Sequence, residues 1–167
     1  DELLDFHFIG VSFMYKAAYA SRIGGYRFEP VEDYDYFLRL TELCDVRYVP
    51  DVLMDYRVNS PLSISAQLRL SADHHRRWRY MFQLAKHEAR MRRGIPPELT
   101  AVFPVSEASP SAVQAYEALL NQYYSNFRLL VLDATPQQQA TGLLQQISDP
   151  RVGFVPVDGN VRMRMYA

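Results

Sequence analysis

The sequence has little cysteine and no long apolar run, and each shortage excludes a class of protein. The single Cys44 cannot form an intrachain disulfide, so a reducing cytoplasm fits the composition. Its place on the apolar face of a predicted helix favours a core thiol over a nucleophile. No apolar run approaches the roughly 20 residues that span a membrane. The acidic start of the chain is unlike a secretory signal.

Lysine is scarce as well, and the composition as a whole is that of a globular protein. Lysine occurs only as Lys16 and Lys86 while arginine is abundant, which indicates a GC-rich, bacterial genome rather than a function. The 167 residues are 49% hydrophobic with a net charge of −1, enough for one ordinary domain or two small units. The run Gly94-Ile95-Pro96-Pro97 ends a helical pattern. We therefore predict two units, residues 1–95 and 96–167.

The most informative stretch follows Pro30, where Glu32 and Asp33 begin an apolar pattern at helical spacing. The pattern predicts a helix from about Glu32 to Leu43. Its apolar positions are Tyr34, Phe37, Leu38, Thr41 and Cys44. The helix dipole favours carboxylates in a first turn, so one interpretation is that the two acids only cap the helix. The alternative is that they form a functional site.

The order of motifs around this helix resembles the C-terminal half of a family 2 glycosyltransferase with the GT-A fold. A predicted strand, a short predicted helix and a Gly-Gly turn precede it; two predicted strands and a Tyr-Arg segment follow it. These are residues 6–15, 16–20, Gly24-Gly25, 46–49, 52–58 and Tyr56-Arg57. The resemblance covers residues 6–65 and is more specific than the Glu-Asp pair alone.

The resemblance implies an inverting transfer of a sugar from a nucleotide-sugar donor to the hydroxyl of a glycan or lipid-linked acceptor. Such enzymes build cell-surface polysaccharides and other glycans. By resemblance, Asp33 is the catalytic base and Glu32 supports it. The turn Gly24-Gly25 borders the acceptor pocket, and Arg57 is a further substrate-binding residue. Arg39 is more simply interpreted as an anchor of its helix than as a phosphate ligand.

The resemblance also implies a divalent metal, manganese or magnesium, in the parent enzyme. The Asp-x-Asp motif that would hold the metal, expected after the third strand of the second unit, is absent. Asn59 stands where many relatives have a histidine that can contact the metal or the diphosphate. We therefore assign no metal ligand in this chain.

Residues beyond the boundary show a β-α-β-α-β pattern, which predicts a parallel sheet. The predicted strands are 99–105, 127–132 and 151–155, and the predicted helices are 111–122 and 135–147. This unit resembles the opening half of the same fold, in which Asp133 contacts the nucleotide. The residues after Asp133 are Ala134-Thr135-Pro136, where the family has a second acid, a glycine and a serine. The resemblance is therefore degraded where the chemistry lies.

A long basic helix is predicted before the boundary, over residues 63–94, with its basic face at residues 66–93. A solvated helix face explains the charge most simply, and peripheral contact with an anionic membrane is the functional alternative. Nucleic acid is disfavoured because no reading motif accompanies the charge. His74 and His75 are adjacent, but His87 is too far along the helix to share their turn, so a metal site is not favoured.

These observations predict an α/β fold with a mixed, mainly parallel sheet: two GT-A pieces joined by a long basic helix. The unit that resembles the C-terminal half of the fold precedes the unit that resembles its N-terminal half. This order indicates a fragment across two tandem domains rather than a circular permutation. The function expected is part of a cytoplasmic glycosyltransferase, acting in solution or at the inner face of the membrane. The alternative is a non-catalytic binding or scaffolding module built from degenerate halves.

Overall fold

The computed structural model describes residues 2–10, 12–55 and 71–157. The chain divides into two compact units, Asp1–Ile95 and Pro96–Ala167, at the boundary expected from the Pro-Pro sequence. Each unit has its own hydrophobic core. The first contains only helices and loops in its described part, and the second contains a parallel sheet. Among the described residues, no helix combines the length and apolar character that crossing a membrane requires.

The helices in the described part of the first unit are α1 (Glu2–Asp5), α2 (Ala17–Ile23), α3 (Glu32–Leu40) and α4 (Ala72–Arg93). Helix α3 supplies most of the core, as its apolar pattern predicted. Tyr34, Phe37 and Leu38 are at most 2% exposed. Burying each such side chain contributes about 1.5–3 kcal/mol. The Tyr34 ring stacks on Phe82 of α4 at 4.4 Å, and its hydroxyl donates to the Leu3 carbonyl at 2.7 Å.

Helix α4 is delimited by a residue at each end that suits its position. Ser71 caps the start, where its Oγ accepts a hydrogen bond from the His74 backbone N–H at 3.2 Å. Gly94 ends the helix in the left-handed conformation at φ 67°. Ala85 and Ala89 are fully buried in the cluster shared with α3, and their small side chains permit close approach of the helices. The predicted start at residue 63 lies outside the described residues.

The strands predicted in the first unit are not observed, and this part of the fold prediction was wrong. Residues 6–10, 12–15 and 46–55 have no regular strand structure, and nearly all of them are exposed. A strand is stable only when its backbone N–H and C=O groups pair with another strand. No strand in residues 2–10 and 12–55 provides that pairing. The end of the strand predicted at 52–58 lies outside the described residues.

The second unit is a small parallel α/β unit, in agreement with the predicted pattern. Strands β1 (Leu99–Val105), β2 (Phe127–Asp133) and β3 (Val152–Pro156) form a sheet in the order β1-β2-β3, with both neighbouring pairs parallel. The described sheet has no antiparallel member, whereas a mixed sheet was predicted. The central strand alternates in burial, with Leu129 and Val131 fully buried.

Helices connect the strands of this sheet. Helix α5 (Pro110–Leu120) begins after Ser109, whose Oγ accepts from the Ala112 N–H at 3.3 Å. The helix predicted at 135–147 is instead a 3₁₀ turn, Pro136–Gln138, followed by helix α6 (Gln139–Leu144). Gln137 and Gln138 have φ of 56° and 57°, outside the helical region, so one continuous helix cannot form there.

Candidate functional site

Asp33 lies in the first turn of α3 with its side chain exposed. Its Oδ1 accepts a hydrogen bond from the Tyr34 backbone N–H at 2.7 Å, which holds the carboxylate at the positive end of the helix. The rest of the helix, from Tyr34 to Leu40, is buried and anchors this first turn. The structure therefore presents a solvent-accessible carboxylate, held by a backbone hydrogen bond, at the start of α3.

His7 lies next to this carboxylate, and the sequence analysis did not identify it. Its ring centroid is 4.8 Å from that of Tyr34 and 5.9 Å from that of Phe37. Partial burial against these rings lowers the pKa of His7, and the attraction of Asp33 opposes that shift by a smaller amount. No motif or periodicity marks His7 in the sequence, because its relation to Asp33 arises only when the loop packs on α3.

Glu32 precedes Asp33 and is half-buried. Its Oε2 is shielded from solvent and has no hydrogen-bond partner within the described ranges. Buried carboxylate oxygens are nearly always hydrogen-bonded in folded proteins. The Glu32 oxygen is therefore an acceptor that the local fold does not use, beside the exposed Asp33.

The buried acid of this helix is Asp35, which the sequence analysis did not single out. Its side chain is fully buried and accepts from Arg27 Nη2 at 2.6 Å and from Arg39 Nε at 2.9 Å. Asp33 and Asp35 have the spacing of an Asp-x-Asp motif. Side chains two residues apart on a helix, however, point to different sides. Because Asp35 is committed to two arginines, the pair cannot share a metal ion.

Arg39 anchors its helix, as the sequence analysis favoured. It is 7% exposed and, besides Asp35, donates to the Ile23 carbonyl at 2.5 Å and the Gly25 carbonyl at 2.8 Å. Gly24 adopts φ 77°, which favours glycine, and ends helix α2. A Cβ at Gly24 or Gly25 would meet nothing within 4 Å, so this turn faces open space on that side.

A pocket of about 1200 Å³ lies elsewhere on the first unit. It is lined mainly by apolar side chains within residues 8–10, 12–16, 44–49 and 51–54, with Tyr19 of α2, Phe37 and Leu40 of α3, and Thr41 directly after α3. Glu32 and Asp33 are not among its lining residues. Neither proposed catalytic acid therefore lies at this pocket, and Arg57 lies outside the described residues.

Asp133, the residue expected to contact a nucleotide, is 1% exposed at the end of β2. One oxygen accepts from the backbone N–H and hydroxyl of Thr135 at 2.8 and 2.6 Å, and the other from those of Thr141, both at 2.7 Å. Burial alone would raise the pKa of Asp133, but these four hydrogen bonds outweigh it and the pKa lies below its usual range. A nucleotide contact remains a prediction and would have to replace some of these bonds.

Several basic side chains of helix α4 are buried or bonded within the first unit, whereas those of a solvated helix face would be exposed to water. Arg79, Lys86 and Arg90 are at most 7% exposed. Arg93 Nη2 donates to the Leu38 carbonyl at 2.8 Å, and Arg92 Nη2 pairs with a Glu42 oxygen at 2.9 Å. Part of the charge that suggested a membrane surface thus stabilises the packing of α4.

The described residues also do not supply a ligand set for the implied manganese or magnesium. Within residues 2–10, 12–55 and 71–157, no group of three or more histidine, cysteine, aspartate or glutamate side chains is placed to hold a metal ion. No step that depends on a metal is therefore assigned to these residues.

Comparison with known proteins identified no relative. The chain matches no protein-family model, no curated protein and no solved structure. Any assignment of function therefore depends on the residues and geometry described above.

Proposed function

We propose that the chain is part of an inverting glycosyltransferase that transfers a sugar from a nucleotide-sugar to an acceptor hydroxyl in the cytoplasm. The observation that supports this most is the exposed Asp33 carboxylate in the first turn of α3, a helix whose remaining residues are buried. The order of motifs over residues 6–65 supplies the family. In this proposal the first unit is the acceptor side of one GT-A domain and the second unit the opening half of another.

In the proposed reaction, Asp33 accepts the proton of the acceptor hydroxyl. The hydroxyl oxygen then forms a bond to the anomeric carbon, the bond from that carbon to the diphosphate breaks, and the nucleoside diphosphate leaves. Attack from the face opposite the leaving group inverts the configuration. Glu32, whose Oε2 is not used by the local fold, is placed to accept a further hydrogen bond beside the base.

The test is Asp33→Asn in the parent enzyme, with transfer and donor binding measured separately. We expect transfer to fall by about 10²-fold or more, because general-base catalysis contributes about that much, while donor affinity stays nearly unchanged. Asp73→Asn is the matched control, since Asp73 is also an exposed aspartate in the first turn of a helix. Full turnover by the Asp33 variant would refute the assignment.

A second function, a non-catalytic binding or scaffolding module, is favoured for the second unit by one observation. Both oxygens of Asp133 are occupied by internal hydrogen bonds, so this carboxylate holds the loop after β2 together. Nucleotide affinity that is equal in the unaltered chain and in Asp133→Asn would support the module. Affinity that falls in the variant while the unit stays folded would support the nucleotide site.

A further inference from the structure

A network of alternating charges connects three parts of the first unit. Asp35 is its centre, bound by Arg39 of the same helix and by Arg27 of the preceding loop. Arg27 also pairs with Glu88 of α4 at 3.0 Å, and Glu88 contacts Arg92 at 3.5 Å. The sequence motif around Glu32 and Asp33 does not account for this network.

Arg39 is a member of this network that also donates to backbone carbonyls. Its Nε and Nη2 bind Asp35, while Nη1 and Nη2 donate to the carbonyls of Ile23 and Gly25. The guanidinium is planar and its donors have a fixed geometry, so it holds these acceptors at set directions from the helix. A lysine in its place could bind as a point charge but could not hold all three at once.

The turn at Gly24 and Gly25 is flanked by side-chain contacts, since Ile23 packs against the core and the Tyr26 ring lies 4.8 Å from the Tyr36 ring, but the glycines themselves make none. A Cβ at either glycine would have no neighbour within 4 Å, so side-chain packing does not fix the turn on that side. Helix α3, in contrast, is held by the buried Tyr34, Phe37 and Leu38 independently of Arg39. The bonds from Arg39 to the carbonyls of Ile23 and Gly25 therefore connect the backbone of the turn directly to α3.

We propose that Arg39 and Asp35 are positioning residues that hold the Gly24-Gly25 turn against helix α3 and thereby set the affinity for the acceptor. The inference rests on the proposed function, in which Asp33 is the base and the turn borders the acceptor. Asp35 acts through Arg39: its carboxylate fixes the guanidinium, and the guanidinium fixes the carbonyls. Neither residue has to touch the substrate.

The first experiment measures amide hydrogen exchange in the chain itself and does not need activity. Arg39→Lys is expected to accelerate exchange at residues 24–27 by about tenfold or more, because charged hydrogen bonds to the turn are lost, while amides of residues 34–38 keep their protection. Arg27→Lys removes one partner of Asp35 but leaves the bonds from Arg39 to the carbonyls, so a smaller change is expected. Unchanged exchange at the turn in Arg39→Lys would overturn the inference.

The second experiment measures kinetics in the parent enzyme. Arg39→Lys is expected to raise the KM for the acceptor about tenfold, as losing one charged hydrogen bond would, with little change in donor hydrolysis by water. Arg151→Lys is the matched control, since Arg151 is also buried and bonded to an aspartate and a backbone carbonyl, in the second unit.

The outcomes of the kinetic experiment separate the two proposals. An acceptor KM that is the same in Arg39→Lys and the unaltered enzyme overturns the positioning role and leaves the transferase proposal standing. If the unaltered parent enzyme transfers no sugar, the transferase proposal is overturned, and so is the acceptor role of the turn. A KM that rises equally in the Arg151 control would show general destabilisation and would also overturn the positioning role.

Discussion

Three aspartates of one chain show how the surroundings of a residue, rather than its type, decide what it can do. Asp33 is exposed at a helix start, Asp35 is buried between two arginines, and Asp133 is buried among hydroxyls and amides. Of the three, only Asp33 exposes its side chain to solvent. The sequence identified Asp33 by its neighbours but did not distinguish it from Asp35, because burial depends on packing partners that are distant along the chain.

The electrostatic influence of Asp33 on His7 gives a test at this scale. Partial burial places the pKa of His7 below its usual value, and Asp33 limits that shift, so Asp33→Asn should lower the pKa of His7 further. Titration of the ring by NMR measures both values. Asp73→Asn should leave the titration unchanged. A His7 pKa that rises, or stays the same, in Asp33→Asn would contradict the proximity of the two groups.

Asp133 allows a prediction about stability and pH. Its pKa is lowered by folding, so its contribution is fully present above the unfolded value of about 3.9 and is lost as pH falls through the folded value. At neutral pH, Asp133→Asn should lower the free energy of unfolding by about 1–3 kcal/mol, because an amide cannot accept all four hydrogen bonds. Denaturant unfolding measures this change. In the control, Asp73→Asn, the free energy of unfolding should stay within about 0.5 kcal/mol of that of the unaltered chain.

If Asp133→Asn were as stable as the unaltered chain at neutral pH, the four bonds would contribute no net stability. Below pH 4, the same measurement should show a smaller difference in the free energy of unfolding between the unaltered chain and Asp133→Asn. The reason is that the protonated aspartate, like the amide, must place a donor among groups that are themselves donors.

At the scale of elements, the helices and the parallel sheet were predictable and the isolated strands were not. Strand β1 occupies the residues predicted for it, and β2 differs by one residue. Their order with the helices is encoded locally, by apolar runs and caps. Residues 6–15 have the composition of a strand, but pairing requires a partner from elsewhere in the chain, which composition cannot reveal. Helix α6 is shorter than predicted because two left-handed glutamines precede it.

The contact of α4 with α3 gives a test of packing. Ala85 is fully buried where α4 joins the core of the first unit, so Ala85→Leu should lower the free energy of unfolding by about 1–3 kcal/mol through overpacking. Met91 lies on the same helix and is 69% exposed, so Met91→Leu should change it by less than about 0.5 kcal/mol. Equal stability of the two variants in thermal unfolding would show that the helices do not pack as described.

At the scale of the whole molecule, the two units carry the two proposed functions separately. Asp33 belongs to the first unit and Asp133 to the second. A divalent metal lowers the barrier of such a transfer by stabilising charge, and the described residues hold no ligand set for one. The start of α3 at Glu32 and Asp33 was predictable from sequence because its motif is continuous, whereas the network around Arg39 joins residues from three separate segments.

We therefore expect the chain by itself to bind nucleotide weakly and to hydrolyse donor slowly. Calorimetry with UDP and manganese, together with a donor-hydrolysis assay, measures both. The matched control is Asp33→Asn, which should behave as the unaltered chain does if little turnover occurs. Micromolar binding together with metal-dependent hydrolysis would contradict this expectation and would favour a permuted domain over a tandem fragment.

The apolar side chains around the pocket of the first unit have a consequence for handling the protein. Met14, Tyr48 and Val52 are 87% exposed or more in the folded chain. Environment-sensitive dyes such as ANS become fluorescent on exposed apolar surface, a signal usually associated with partly folded states. Here the native protein should bind the dye before any denaturant is added. Global unfolding would then appear as a loss of fluorescence as this surface is dispersed.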